Sequence, residues 1–169
     1  RLQAEDYRKF CGTAPQLMVF GMREALDMIF EEGLENIYER HRVLAEATHA
    51  AVEVWSQAGT LSLNAIEPKE RSTAVTTILT DEGVDANMIR DVCRDEMMVG
   101  LGGGLGNLAG RAFRIGHMGD MNAPMLFAAL ASIEATFRYL DIKFAPGGVT
   151  AAIEHVAQSK KVGTGPFSY

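Results

Sequence analysis

Apolar side chains recur along this chain with two different periods, and the change from one to the other divides it. Between residues 16 and 32, Met18, Met22, Ala25, Leu26 and Ile29 return every three or four positions, the spacing of one helix face. Glu31, Glu32 and Gly33 end that run, and Thr13 stands where an N-cap is expected, with Pro15 in the first turn. A methionine-rich stripe of this kind reads as core, or as a seam packed on a neighbouring helix. From residue 34 to about 57, Leu34, Ile37, Tyr38, His41, Leu44, Ala45, Thr48, Val52 and Trp55 share one face. Glu35, Glu39, Arg40 and Arg42 lie elsewhere, so a second, long amphipathic helix follows the Gly33 break.

After Gly59 the period shortens. Leu61-Ser62-Leu63 alternates as a short strand, and residues 72–80, rich in Thr, Val and Ile, predict a stronger one closed by the turn signal Asp81-Glu82-Gly83. Asp85 can cap a helix over 86–96 that turns Met88, Ile89, Val92 and Cys93 inward. Residues 97–99 predict the start of another strand, a glycine run follows, and 111–116 form the next strand. Asn122 or Asp120 can start a helix with Pro124 in its first turn, continuing through Leu126, Leu130, Ile133 and Phe137 to about Leu140. A last helix is expected over 148–157, and the tail 161–169 has too little apolar surface to hold itself down, so it reads as flexible. Helices leading into short strands that alternate with helices predict an α+β, two-layer domain: a small, mainly antiparallel sheet packed against helices.

Composition narrows the function classes. A chain of 169 residues can bury a sizeable core, and 47% hydrophobic with 22% charged residues is ordinary for a globular protein. No apolar run approaches the roughly 20 residues of a membrane span, so no membrane partner is expected. A net charge of −6 argues against nucleic acid, whose recognition rests on clustered Lys and Arg. Cys11 and Cys93 form neither a disulfide framework nor a zinc-type pair, which fits a reducing, cytoplasmic setting. The chain opens on Arg1 followed by polar residues, so no signal peptide is expected and the natural start is read as missing.

The candidate chemistry gathers between residues 100 and 120. Arg114 interrupts the apolar run Ala112-Phe113-Arg114-Ile115 with no acidic neighbour in sequence. A guanidinium must keep its planar fork of donors hydrogen-bonded, and a carboxylate matches that fork with two parallel bonds. Two readings are open: an anion receptor for a substrate carboxylate, or an edge-strand arginine that points to water or pairs with a distant carboxylate. Gly104-Leu105-Gly106-Asn107-Leu108-Ala109 satisfies a loose dinucleotide-loop pattern, but a strand follows where such a loop must open a helix. The glycines read instead as a loop that lets backbone approach something closely, a ligand or another subunit, or as plain flexibility. His117 is expected to make a structural hydrogen bond, with a general-base or ligand-binding role as the sharper alternative. His41 and His49 lie eight apart, not the i, i+4 spacing of a metal pair, and no Ser-His-Asp or Cys-His set can be assembled.

Several of these segments resemble a known family. Gly12-Thr13-Ala14-Pro15, Gly21-Met22-Arg23-Glu24-Ala25-Leu26-Asp27-Met28, Glu31-Glu32-Gly33-Leu34-Glu35-Asn36 and Arg40-His41-Arg42 are similar to the C-terminal part of class V pyridoxal-phosphate aminotransferases. Gly102-Gly103-Gly104-Leu105-Gly106 and Ala109-Gly110-Arg111-Ala112-Phe113-Arg114-Ile115-Gly116-His117-Met118-Gly119-Asp120 resemble the serine–glyoxylate and alanine–glyoxylate branch. Pro146-Gly147-Gly148-Val149 fits the same group, and the likeness runs from about Tyr7 to Ala157.

The resemblance implies the small domain of a fold-type I enzyme, homodimeric, that moves an amino group from a small amino acid to glyoxylate or a similar 2-oxo acid through lysine-bound pyridoxal 5'-phosphate. Residues 1–33 would be the leading segment and interdomain helix, 34–160 the C-terminal small domain and 161–169 the tail, with the large cofactor-binding domain absent. Arg114 falls on the arginine that grips the substrate α-carboxylate, and Thr13 on the threonine that reaches the cofactor phosphate. Phe10 departs from the pattern, since relatives often carry a tyrosine there for the same phosphate. Lys9, Lys69, Lys143, Lys160 and Lys161 match none of the family's catalytic positions, so this stretch alone is expected to be inactive. A stand-alone amino-acid or oxo-acid binding module is the alternative.

Overall fold

The structure, a computed structural model, describes residues 13–159. Phe10, Cys11, Lys9 and the tail 161–169 lie outside the described residues. The chain divides into two compact units, one reaching to Ile37 and the other starting at Tyr38.

The first unit holds helix α1 (Gln16–Glu32) and the first residues of helix α2 (Leu34–Trp55). Gly33 separates the helices in the left-handed region at φ +85°, its N–H returned to the Ile29 carbonyl. Two expectations fail here. The position before α1 is Pro15, with no side-chain cap, so Thr13 does not cap the helix. The core half of the α1 stripe reading also fails among the described residues: none of the helix's residues is buried, and Met18 and Met22 are 77% and 60% exposed, which leaves the seam reading untouched.

In the second unit a four-stranded sheet runs in the order β1 (Leu61–Leu63), β2 (Val75–Thr80), β4 (Ala112–Gly116) and β3 (Gly102–Gly103). Every pairing is antiparallel, with Leu63 opposite Ile78, Thr77 opposite Arg114 and Gly102 opposite Arg114 on its other side. Because opposed residues share a face, Leu61, Leu63, Thr76, Ile78, Phe113 and Ile115 point to one side of the sheet. Ser62, Thr77, Leu79 and Arg114 point to the other. The first set joins the core built with α2, α3 (Ala86–Asp95) and α4 (Ala123–Tyr139), so the two-layer α+β reading holds. At its centre the Phe137 ring lies edge-on to Trp55 and Phe113, with centroids 5.4 and 6.2 Å away.

The capping residues explain the helix starts. Asp85 Oδ1 accepts the Asn87 N–H, and Asn122, rather than Asp120, accepts the Met125 N–H at the head of α4. Helix α5 (Gly148–Gln158) follows Gly147 at φ +105° and lies so close to α2 that a Cβ on Gly148 would fall 2.2 Å from Trp55 Nε1. Glu134 Oε1 locks this contact, accepting from the Trp55 indole at 2.8 Å and from the Val149 N–H at 3.1 Å.

Two strand boundaries are corrected. Residues 97–99 form no strand, because Met98 turns left-handed at φ +58° and the Val99 N–H bonds back to the Cys93 carbonyl. The strand lies in the glycine run instead, as β3. Strand β2 starts at Val75 rather than at 72, since the Ala74 N–H is drawn into a local bond with Ser72 Oγ.

Candidate functional site

Arg114 sits on β4, an interior strand bonded to β2 and β3, so it is not an edge-strand residue. Alternation explains its placement. Phe113 and Ile115 on either side are buried on the helix-facing side, which turns Arg114 onto the opposite, partly exposed face. Its Nε donates to the Gly103 carbonyl at 2.8 Å. No carboxylate among the described residues pairs with it, so the distant-partner reading is not met there either. Among the described residues the two terminal nitrogens, which carry four of the five N–H donors, bond to nothing and keep that capacity for another group. A planar cation on a half-buried surface, tethered at Nε and open at its fork end, is suited to bind a carboxylate end-on by two parallel bonds.

The glycine run is adapted to neighbours within the chain. Gly102 faces Arg114 across the ladder, and a Cβ at Gly104 would fall 1.9 Å from the Leu108 carbonyl oxygen. Gly106 needs its positive φ of +56° to enter a short 3-10 turn over Gly106–Leu108. Close approach is thus the right reading of Gly102, Gly103 and Gly104, with arginine and backbone as what approaches, while a Cβ at Gly100 or Gly106 would meet nothing within 4 Å.

His117, just past β4, is fully buried and structural in its contacts. The Thr73 carbonyl can only accept, so Nδ1 carries the proton and donates to it at 3.1 Å. Nε2 then accepts from the Thr76 hydroxyl at 2.9 Å. Burial pushes the imidazole down to about 4, and nearby His49 and His41 add to the fall against the Thr73 bond. His49, whose ring stands edge-on 6.1 Å away, is lowered too, chiefly by burial and then by the Arg71 charge.

A second grip on the segment after β4 escaped the sequence reading. Arg40 Nη1, from α2, donates to the carbonyls of Gly119 at 2.7 Å and Met121 at 2.8 Å. With that carbonyl taken, His41 Nε2 is best satisfied by the Gly119 N–H at 3.1 Å. The signal was present as an Arg-His pair on an otherwise ordinary helix face, but its partners lie 78 to 81 positions away. Cys93 is buried, and burial raises its thiol, so it behaves as a small apolar residue. Thr13, in the first unit, has an exposed side chain that bonds to no described residue. Among the described residues no cluster of His, Cys, Asp or Glu could hold a metal, and no helix is long and apolar enough to cross a membrane.

Comparison with known proteins gives this geometry its context. The chain is 43% identical over 162 residues to the serine–glyoxylate aminotransferase of Methylorubrum extorquens, covering 92% of this chain and 39% of that protein. It is 36% identical over 148 residues to the L-aspartate–glyoxylate aminotransferase of Paracoccus denitrificans, covering 87% of this chain and 36% of that protein. The fold matches ureidoglycine–glyoxylate aminotransferase from Bacillus subtilis with a TM-score of 0.74 at 27% identity, over 83% of this chain and 36% of that one. This chain therefore spans less than two-fifths of the length of the curated relatives it matches. No protein-family model matches it.

Proposed function

We propose, from the place of this chain in the serine–glyoxylate branch of the class V aminotransferases, that it is the C-terminal part of a pyridoxal-phosphate enzyme. That enzyme transfers an amino group from a small amino acid (serine, alanine or aspartate) to glyoxylate or a similar 2-oxo acid. The observation that carries the reading is Arg114: an arginine held at Nε by Gly103 O, with its fork end open and no carboxylate partner among the described residues. Residues 1–33 serve as the leading segment and interdomain helix, 34–160 as the small domain, and the whole enzyme works as a homodimer in the cytoplasm.

The cofactor, when bound, supplies the electron sink for amino-group transfer. This chain contributes binding and orientation. Arg114 receives the α-carboxylate that amino-acid and oxo-acid substrates share, through both terminal nitrogens, and so fixes which end of the substrate faces away from the reacting carbon. The exposed Thr13 hydroxyl, bonded to no described residue, fits a bond to the cofactor phosphate. It is a single donor, and none of Lys69, Lys143 or the other lysines is matched to the cofactor-binding position. The isolated polypeptide accordingly turns nothing over.

Replacing Arg114 by Ala in the complete enzyme removes two charge-assisted hydrogen bonds, each worth about 1.5–3 kcal/mol, so kcat/KM should fall by roughly 10²–10⁴-fold. The loss should be shared by amino donor and oxo acceptor, because both present the same carboxylate. An unchanged kcat/KM for either would refute the assignment. Intact mass of the natural protein after borohydride reduction tests the remainder: a longer chain with a phosphopyridoxyl adduct supports it. An unmodified 18.4 kDa species that binds amino or oxo acids without cofactor would favour a binding module.

A further inference from the structure

The two residues of β3 have no side chains, and an arginine lies against each face of them. Gly102 stands opposite Arg114, and a Cβ there would meet Arg114 Cβ at 3.2 Å, Nε at 3.3 Å and Cζ at 3.6 Å. The Arg114 side chain therefore lies across the α-carbon of Gly102 on its way to the Gly103 carbonyl, which holds its Nε. Gly103 points the other way, as successive strand positions must. A Cβ there would fall 2.9 Å from Arg90 Nη1 and 3.0 Å from Arg90 Cζ. Arg90, from α3, donates through Nε to the Leu101 carbonyl at 3.2 Å and through Nη1 to Asn87 Oδ1 at 3.1 Å, so it braces β3 from behind.

We propose that Gly102 and Arg90 are positioning residues for the carboxylate-binding fork of Arg114. Gly102 leaves the space that lets the guanidinium lie flat on the strand, and Arg90 holds the strand whose carbonyl anchors Nε. This inference rests on the reading of Arg114 as the carboxylate receptor. An added methyl at Gly102 forces the Arg114 stem aside by a few tenths of an ångström, enough to lengthen the Nε bond and swing the fork off line.

The test uses the complete aminotransferase that contains this chain, with Gly102→Ala, Arg90→Lys, Arg114→Met and the double variant Gly102→Ala/Arg114→Met. Gly116→Ala serves as the control, because a Cβ there meets nothing within 4 Å. Inhibition by glycolate, which has a carboxylate, is compared with inhibition by glycolamide, which has the same shape without the charge. Gly102→Ala and Arg90→Lys should each raise KM for both substrates and Ki for glycolate about tenfold, equivalent to ~1.4 kcal/mol, with kcat changing less and glycolamide unaffected. Gly102→Ala should add nothing in the Arg114→Met background, since the two changes act through one group.

Equal weakening of glycolate and glycolamide, or full additivity in the double variant, would overturn the inference, because the glycine would then act through general distortion. If Arg114→Met weakens substrates while Gly102→Ala and Arg90→Lys do not, the positioning role fails and the receptor reading survives. If Arg114→Met itself changes nothing, the receptor reading falls and takes the inference with it. Melting temperatures identify a variant that fails to fold, in which case Arg90→Lys, which adds no atom to β3, decides the matter alone.

Discussion

His117 should make this fold acid-labile over a defined window. The ring is fully buried, its Nδ1–H committed to the Thr73 carbonyl and its Nε2 lone pair to the Thr76 hydroxyl. A second proton has nowhere to go unless the Thr76 bond reverses, and the charge would sit beside His49 in the interior. Burial, the largest cause, brings the folded value down from 6.5 to about 4. Above pH 6.5 neither the folded nor the unfolded chain carries the proton, so the shift changes nothing. Between 6.5 and 4 the unfolded chain takes it up and the folded one does not, and stability falls as pH falls. At ~1.4 kcal/mol per pH unit the loss reaches about 2.5 kcal/mol by pH 4.5. It is complete below pH 4, where both forms are protonated. Urea unfolding of the 169-residue polypeptide at pH 7.5 and 4.5, beside His117→Gln, isolates the contribution. The variant is less stable at pH 7.5, having lost one of two buried bonds, but should lose about 2.5 kcal/mol less than the parent on acidification. His49, also lowered by burial, titrates in both proteins and largely cancels in the difference. Parallel pH dependence in parent and variant would refute the reasoning.

Two further stability predictions follow from the contacts around α4 and α5. Gly148→Ala would drive a methyl to 2.2 Å from Trp55 Nε1 and 2.8 Å from the Ala51 carbonyl, displacing α5 and breaking the indole bond to Glu134. A loss of about 3 kcal/mol or more is expected, seen as a lower midpoint in thermal unfolding, and an unchanged midpoint would contradict the packing described. Asn122→Ala removes the acceptor for the Met125 N–H at the head of α4 and should cost about 1 kcal/mol, with Asn122→Asp or Asn122→Ser recovering most of it in urea melts.

Where the sequence was informative, the determinants were local. The two long helices, the breaks at Gly33 and Gly59, the caps at Asp85 and Asn122 and the alternation in β2 and β4 are all set by residues within a few positions of one another. The failures have separate causes. Residues 97–99 carry apolar side chains suited to a strand, yet Val99 is captured by the end of the helix before it. The α1 stripe has helical spacing but no burial within the described residues, because periodicity reports which face is apolar and not what covers it.

The same limit explains the site. An arginine in an apolar run announces that its donors need partners, and a run of glycines announces that something comes close; neither names the other. Only the antiparallel register, which sets Gly102 against Arg114 across a two-residue strand, reveals that one signal answers the other. The glycine loop and the arginine strand therefore form one device, in which backbone without side chains on β3 gives a guanidinium a flat bed and a carbonyl anchor. That arrangement also accounts for the open fork. An arginine whose Nε is tied to its own scaffold and whose cross-strand neighbours are Thr77 and Gly102 has been given orientation but, among the described residues, no counter-charge. On the proposed function, a group so placed is stabilised fully only when the substrate carboxylate pairs with it, since a guanidinium fork gains most from two parallel charge-assisted bonds.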